Sequence, residues 1–294
     1  MLRTVAEIKT CSPEEMTFFF LGNVGSEIGT ISQAISSQTS VRRLRFSGYS
    51  DIGKLAGSAK DLPLLEELKV KGVSLYTPAV KDDGLGFRSL TTFAALGTPV
   101  LIHNLLHTIG SDRLSRVALF YRTRGFIELR REMIAELQRF RLHLANLRLV
   151  VDTGLLWEVF EPVLSLAELQ TFDLEYTQTD SSLRLQLLSE HITLQSLAYI
   201  ATHCPNLRKL AVTFDARASS NPPASRDVGN FVPSKNALEL FDVMGSKFDG
   251  GDEEKSANVF RFWWPKARLC RSEADSRPMG YWEIDDAPIW PNAD

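Results

Sequence analysis

One pattern limits what this chain can fold into more than any other. Leu-x-x-Leu-x-Leu, with any large apolar residue allowed in the leucine places, recurs along most of its length. It is met at Val41/Leu44/Phe46, Leu65/Leu68/Val70, Leu114/Val117/Leu119, Leu144/Leu147/Leu149, Leu169/Phe172/Leu174, Leu207/Leu210/Val212 and Leu238/Phe241/Val243, with a weaker match at Leu90/Phe93/Ala95. The middle residues follow one another at intervals of 24, 25, 24, 30, 25, 38 and 31. Of 40 leucines, 32 lie between residues 51 and 200, so the enrichment goes with the recurrence. A period of about 20–50 residues marks a repeat architecture, in which each unit is one supersecondary element that cannot bury its apolar side alone.

The stretches between matches carry helical periodicity. Thr98 to Ile109 puts Val100, Leu101, Leu105 and Ile109 near one face, and Phe126 to Leu144 spaces Ile127, Ile134, Leu137 and Leu144 among charged residues. Leu155 to Leu166 and Leu183 to Thr202 are similar. One short strand and one helix per unit predict an α/β fold, a solenoid with a curved parallel sheet on its concave side and helices on its convex side. The two longest gaps are assigned to a longer helix before Leu207 and to the polar loop Arg217 to Ser234, which contains Pro222 and Pro223. Three regions follow. Residues 1–40 are expected to form an N-terminal cap, with a strand around Val5 and Ile8 and a helix from Glu14 to Ile35. Residues 41–245 form the solenoid. Residues 246–294 form a C-terminal cap, with an acidic loop from Asp249 to Glu254, a helix from Glu254 to Trp263 and an extended tail.

The segment Cys204-Pro205-Asn206-Leu207-Arg208-Lys209-Leu210 resembles the helix-to-strand turn of ribonuclease-inhibitor-like leucine-rich repeats. Leu62-Pro63-Leu64-Leu65-Glu66-Glu67-Leu68 and Lys235-Asn236-Ala237-Leu238 are similar. With the Trp264-Pro265 turn and units of uneven length, residues 40 to 270 resemble the leucine-rich-repeat region of fungal F-box proteins. The resemblance implies a substrate-receptor role in a cullin-RING ubiquitin ligase. Two departures shape the expectation. The third place beyond each match, where regular repeats carry Asn or Cys, holds Tyr49, Val73, Thr98, Arg122, Asp152, Thr177, Asp215 and Ser246, so the solenoid is expected to be irregular. The first forty residues contain one proline, Pro13 after Ser12, and no Leu-Pro-x-Glu, so an F-box, which would dock the ligase adaptor, is not expected there.

Composition excludes several classes. The formal net charge is −3 with 44% hydrophobic and 23% charged residues, which suits a core-forming chain. No apolar run nears the roughly 20 residues that span a bilayer, and Phe18 to Leu21 follows Glu14 and Glu15 rather than a basic start, so neither a membrane span nor a secretory signal is expected. A cytoplasmic or nuclear location is the default. Cys11, Cys204 and Cys270 are too few and too scattered for a disulfide framework or a zinc module.

Motifs for chemistry are thin. His103 and His107 have the i, i+4 spacing of two ligands on one helix, but Asn104 stands where a zincin needs its Glu, and no third ligand is near in sequence. Gly84-Leu85-Gly86 does not complete Gly-x-Gly-x-x-Gly and precedes a strand, so it reads as a turn. His203 beside Cys204 reads as the end of a repeat helix. No catalytic, cofactor or metal residue is assigned. The rival class is an α/β hydrolase-type or metal-dependent enzyme, which would gather titratable groups in one deep pocket.

Charge and strand geometry point instead to recognition of a protein on the concave face. Arg113 to Arg148 carries a net charge of +6, and Val151 to Asp180 one of −7. These blocks either pair with each other or orient a charged partner. Within each match, alternate residues project to the outer side of the sheet. The candidate partner-binding residues are Arg43, Arg45, Glu67, Lys69, Arg116, Asn146, Arg148, Thr171, Asp173 and Lys209, accompanied by Ala118, Ala211, Leu240 and Asp242. A nucleic-acid groove is disfavoured, because acids interrupt the basic residues. Four of the five tryptophans, Trp263, Trp264, Trp282 and Trp290, fall in the C-terminal cap, where they are expected to be buried rather than to anchor a partner.

Overall fold

The computed structural model describes residues 6–12, 14–20, 27–48, 52–72, 85–121, 127–151, 166–176, 192–212, 214, 238–243 and 253–270. The chain divides into two compact units, Met1–Leu147 with Glu158–Leu169, and Arg148–Trp157 with Gln170–Asp294.

The first unit opens with β1 (Ala6–Ser12) and β2 (Glu15–Phe20), an antiparallel pair, followed by α1 (Ile28–Ser36). Then come β3 (Arg43–Gly48), α2 (Ile52–Gly57), β4 (Glu67–Gly72), β5 (Thr92–Gly97), α3 (Pro99–Thr108), β6 (Arg116–Tyr121) and α4 (Ile127–Leu137). From β2 to β6 each strand pairs in parallel with the next one in the chain. Met16, Leu44, Leu68, Phe93 and Val117 are successive Cα partners, so the middle residues of the pattern stand in one line across the strands.

The strand β7 (Asn146–Val151) begins in the first unit and ends in the second. The second unit continues with β8 (Thr171–Tyr176), α5 (Leu194–His203), β9 (Lys209–Val212), β10 (Leu240–Asp242), α6 (Glu253–Trp263) and β11 (Arg268–Cys270). β8 to β11 are again parallel and in chain order, with Phe172, Leu210, Phe241 and Leu269 in line. The fold is therefore α/β, with strands paired in parallel after the opening hairpin.

All eight triplets are core. None of their 24 residues is more than 5% exposed. The helices complete the burial: Leu101, Ile102, Leu105 and Leu106 of α3, Met133, Ile134 and Leu137 of α4, and Leu197 and Ile200 of α5 are buried. Local chemistry sets several helix ends. Thr98 caps α3, its hydroxyl accepting from Leu101 N at 3.3 Å, with Pro99 at the first helical position. Thr193 and Ser196 form a capping box on α5.

A backbone device repeats at the start of the strands. One carbonyl accepts two consecutive N–H groups from the next unit. Glu14 O takes Arg42 N and Arg43 N, Arg42 O takes Glu66 N and Glu67 N, Glu66 O takes Thr91 N and Thr92 N, and Thr91 O takes Ser115 N and Arg116 N, all at 2.8–3.1 Å. Ser115 O does the same for Ala145 N and Asn146 N. In the second unit Gln170 O takes Arg208 N and Lys209 N, and Arg208 O takes Glu239 N and Leu240 N. These bonds pin β3 to β7, β9 and β10 at the first outward residue and the one before it.

One expectation is corrected and one strand is added. The helix expected from Glu14 to Ile35 begins only at Ile28, because Glu15–Phe20 is strand β2. Met16-Thr17-Phe18-Phe19-Phe20 is rich in aromatic and β-branched residues that suit a pleated surface, and Phe18 stacks on Phe46 of β3 at 5.5 Å. At the other end, Arg268–Cys270, within the expected C-terminal cap, adds a parallel strand that the pattern does not mark. The helices at Thr98–Ile109, Phe126–Leu144 and Glu254–Trp263 are found as α3, α4 with the 3-10 turn Gln138–Phe140, and α6. The expected helix from Leu155, the first half of that from Leu183, the loop at 217–234 and the tail from Arg271 lie outside the described residues. No helix among the described residues is long and apolar enough to cross a membrane.

Candidate functional site

Strand alternation gives the strands of each unit one face occupied by the buried triplets and one open to polar residues. In the first unit the register places the outward residues in rows across the strands. One row runs Glu15, Arg43, Glu67, Thr92 and Arg116, and the next runs Thr17, Arg45, Lys69, Ala94 and Ala118. A third contains Phe19, Ser47, Lys71, Leu96 and Phe120.

The charged members of these rows form a shared network. Arg45 lies 3.2 Å from Glu15 and 4.0 Å from Glu67, and Arg43 reaches Glu15 at 3.5 Å. Lys69 lies 2.7 Å from Glu67. Arg45 and Lys69 are mostly covered, whereas Arg43 keeps about half of its side chain in solvent and Arg116 is exposed. Just before this face, at the strand starts, Glu14, Arg42 and Glu66 make a second charged line. Asn146 opens β7 half-buried, its N–H donated to Ser115 O at 2.9 Å.

In the second unit Arg148 and Asp173 pair at 3.1 Å, both side chains largely covered. This is one ion pair between the Arg-rich and acidic blocks. Because removal of one partner of a buried pair leaves a stranded charge, loss of Arg148 or Asp173 alone is expected to destabilise the chain. Thr171 and Lys209 are direct Cα partners, both half-buried, followed in the row by Leu240 and Arg268. Asp173, Ala211, Asp242 and Cys270 form the parallel row.

The other residues singled out in the sequence lie on helices, at helix ends and in a turn. His103 and His107 lie side by side on α3, ring centroids 6.2 Å apart, and His107 Nδ1 sits 3.1 Å from Glu136 Oε1 of α4. Arg139 donates to Glu136 at 2.6 Å and to the carbonyls of His107 and Ile109 at 3.2 Å each, closing the C-terminal end of α3. Burial pushes the Glu136 carboxyl up, but the hydrogen bonds from Arg139 and His107 together outweigh it and hold it below the usual carboxylate value. Among the described residues no group of three His, Cys, Asp or Glu is arranged to hold a metal ion.

Gly86 is packed against backbone. It bridges to Ile109, and a Cβ there would stand 2.4 Å from Lys60 Cβ. His203 ends α5 stacked on Tyr199 at 3.8 Å, while burial pushes the neighbouring Cys204 thiol up to about 12. Trp263 and Trp264 are buried, Trp264 against Phe241 at 4.9 Å. Trp157, Trp282 and Trp290 lie outside the described residues.

Several residues of the outer face were missed by sequence reasoning. Glu15, Thr17 and Phe19 were hidden by the mistaken helix. Ser47, Lys71, Leu96 and Phe120 follow from continuing the strand alternation two residues further, a signal that was present. Neither the protein-family models nor the curated protein sequences contain a match to this chain.

Proposed function

We propose that the chain is a non-catalytic leucine-rich-repeat module of the ribonuclease-inhibitor-like kind, a solenoid whose outer sheet face takes a protein partner. The observation that carries this reading is the in-line register of the triplets, which leaves an alternating polar and charged surface across at least five neighbouring strands of one unit. Stacked repeats use such extended surfaces for recognition. A substrate-receptor role in a ubiquitin ligase is proposed from the Pro-containing turns before Leu65 and Leu207, which resemble those of fungal F-box proteins.

The test is affinity capture from a eukaryotic lysate, read by mass spectrometry. Wild type is compared with Arg43→Glu/Lys69→Glu/Arg116→Glu and with Arg141→Glu, an exposed residue after the 3-10 turn. Arg148 is left intact because of its pairing with Asp173. Proteins recovered by wild type and Arg141→Glu but lost from the triple variant support the sheet-face reading. Undiminished recovery by the triple variant refutes it. Ligase adaptor and cullin among the captured proteins support the receptor role, and their absence removes it.

A further inference from the structure

We infer that the outer sheet face of the first unit takes an extended acidic polypeptide segment, with two carboxylates four residues apart held by Arg43 and Arg116. The inference rests on the reading of that face as a partner site and adds the chemistry and spacing of the partner.

Among the described residues of these rows the charge does not balance. Arg43, Arg45, Lys69 and Arg116 stand against Glu15 and Glu67. Each carboxylate is shared between two cations: Glu15 by Arg43 and Arg45, Glu67 by Arg45 and Lys69. Two negative charges thus serve three positive ones, and Arg116, exposed in the same row as Arg43, adds a fourth. An anionic partner supplies the missing charge, and guanidinium is the side chain best shaped to take a carboxylate through two parallel hydrogen bonds.

The spacing sets the form of the partner. Arg43 and Arg116 occupy one register row separated by Glu67 and Thr92, which is three strand intervals. At about 4.8 Å per interval the separation is about 14 Å. An extended chain laid across the strands advances about 3.3–3.4 Å per residue with alternate side chains on one side, so residues i and i+4 are about 13 Å apart and face the same way. Residue i+2 then falls over Glu67 and Thr92, where a Ser, Thr or Asn can donate. A polynucleotide carries a phosphate on every nucleotide and cannot omit the one facing Glu67, so the row favours a polypeptide.

The test is selection from a displayed library of random twelve-residue peptides against the full chain, against Arg43→Glu/Arg116→Glu, and against Arg141→Glu. Unchanged circular dichroism and thermal midpoints establish that the variants are folded. The expected result is enrichment, on wild type and Arg141→Glu, of peptides with Asp or Glu at i and i+4. The most enriched peptide, fluorescein-labelled, should bind wild type at least about ten-fold more tightly than the double variant, with affinity falling as salt rises. Moving its second acid to i+3 should weaken it. Neutral or basic peptides that are still lost from the double variant would overturn the acidic specificity while leaving the face as a partner site. Enrichment indifferent to the double variant, or none, would overturn both. Tighter binding of a twelve-nucleotide single-stranded RNA than of any selected peptide would overturn the choice of a polypeptide.

Discussion

Leu68 and Lys69 are chain neighbours on β4 that point to opposite sides of the sheet, which makes them a sharp test of the register. Leu68 has no exposed surface and is the Cα partner of Leu44 on one side and Phe93 on the other. Leu68→Ala removes three carbon atoms. At about 0.8 kcal/mol per methylene the transfer loss is about 2.4 kcal/mol, and the cavity between Leu44 and Phe93 raises the total to about 3–4 kcal/mol. Lys69→Ala removes one pairing with Glu67, whose side chain also lies near Arg45. Its expected cost is under about 1 kcal/mol. Urea denaturation measures both. If repeats couple chiefly to their neighbours, hydrogen exchange after Leu68→Ala should quicken most in β3, β4 and β5 and least in β9 and β10. Equal losses from the two substitutions would refute the assignment of faces, and an even loss of protection from β3 to β10 would refute the repeat-by-repeat coupling.

Three further outcomes are expected. A Cβ at Gly48 would stand 2.4 Å from Phe20 O at a φ of +153, so Gly48→Ala should cost about 2 kcal/mol or more by thermal unfolding; an unchanged midpoint would contradict the packing of β2 on β3. Because the Glu136 carboxyl is held low in the folded chain, its contribution is present above the ordinary carboxyl value of about 4.3 and lost as pH falls through the lowered one. Glu136→Gln should therefore flatten the fall of melting temperature between about pH 5 and 3, and an unaltered slope would rule out that contribution. Cys204, its thiol pushed up to about 12, should resist iodoacetamide at pH 8 until the chain is unfolded in urea, which peptide mapping resolves from Cys11 and Cys270. Rapid native alkylation of Cys204 would contradict its burial.

Much of the fold was legible because large apolar residues at fixed spacing report the buried face directly. The pattern failed where its first place held the wrong residue. In β2 the line of middle residues passes through Met16, so the preceding place falls on Pro13, and in β11 it passes through Leu269, flanked by Lys266 and Arg271. The outward positions of the candidate site were legible from a period of two. Their partnerships were not, since Arg45 meets Glu15 and Arg148 meets Asp173 only after strands 25 or more residues apart are brought into register. The same holds for the contact of His107 with Glu136, which needs α3 and α4 packed together, whereas Arg139 meets Glu136 from three residues away.

The doubled hydrogen bonds at the strand starts have a consequence for how this chain can change length. One carbonyl holding two consecutive amides fixes the phase of a strand locally, without reference to the path taken to reach it. Residues gained or lost in a helix or its flanking loops only lengthen or shorten a detour, as the intervals from 24 to 38 already illustrate. A single residue gained or lost inside Leu-x-x-Leu-x-Leu would turn every later side chain of that strand to the opposite side, exchanging Leu68 for Lys69 in the core. Insertions and deletions accumulated by descendants of this sequence should therefore collect on the helical side, while the six-residue strand segments keep their length.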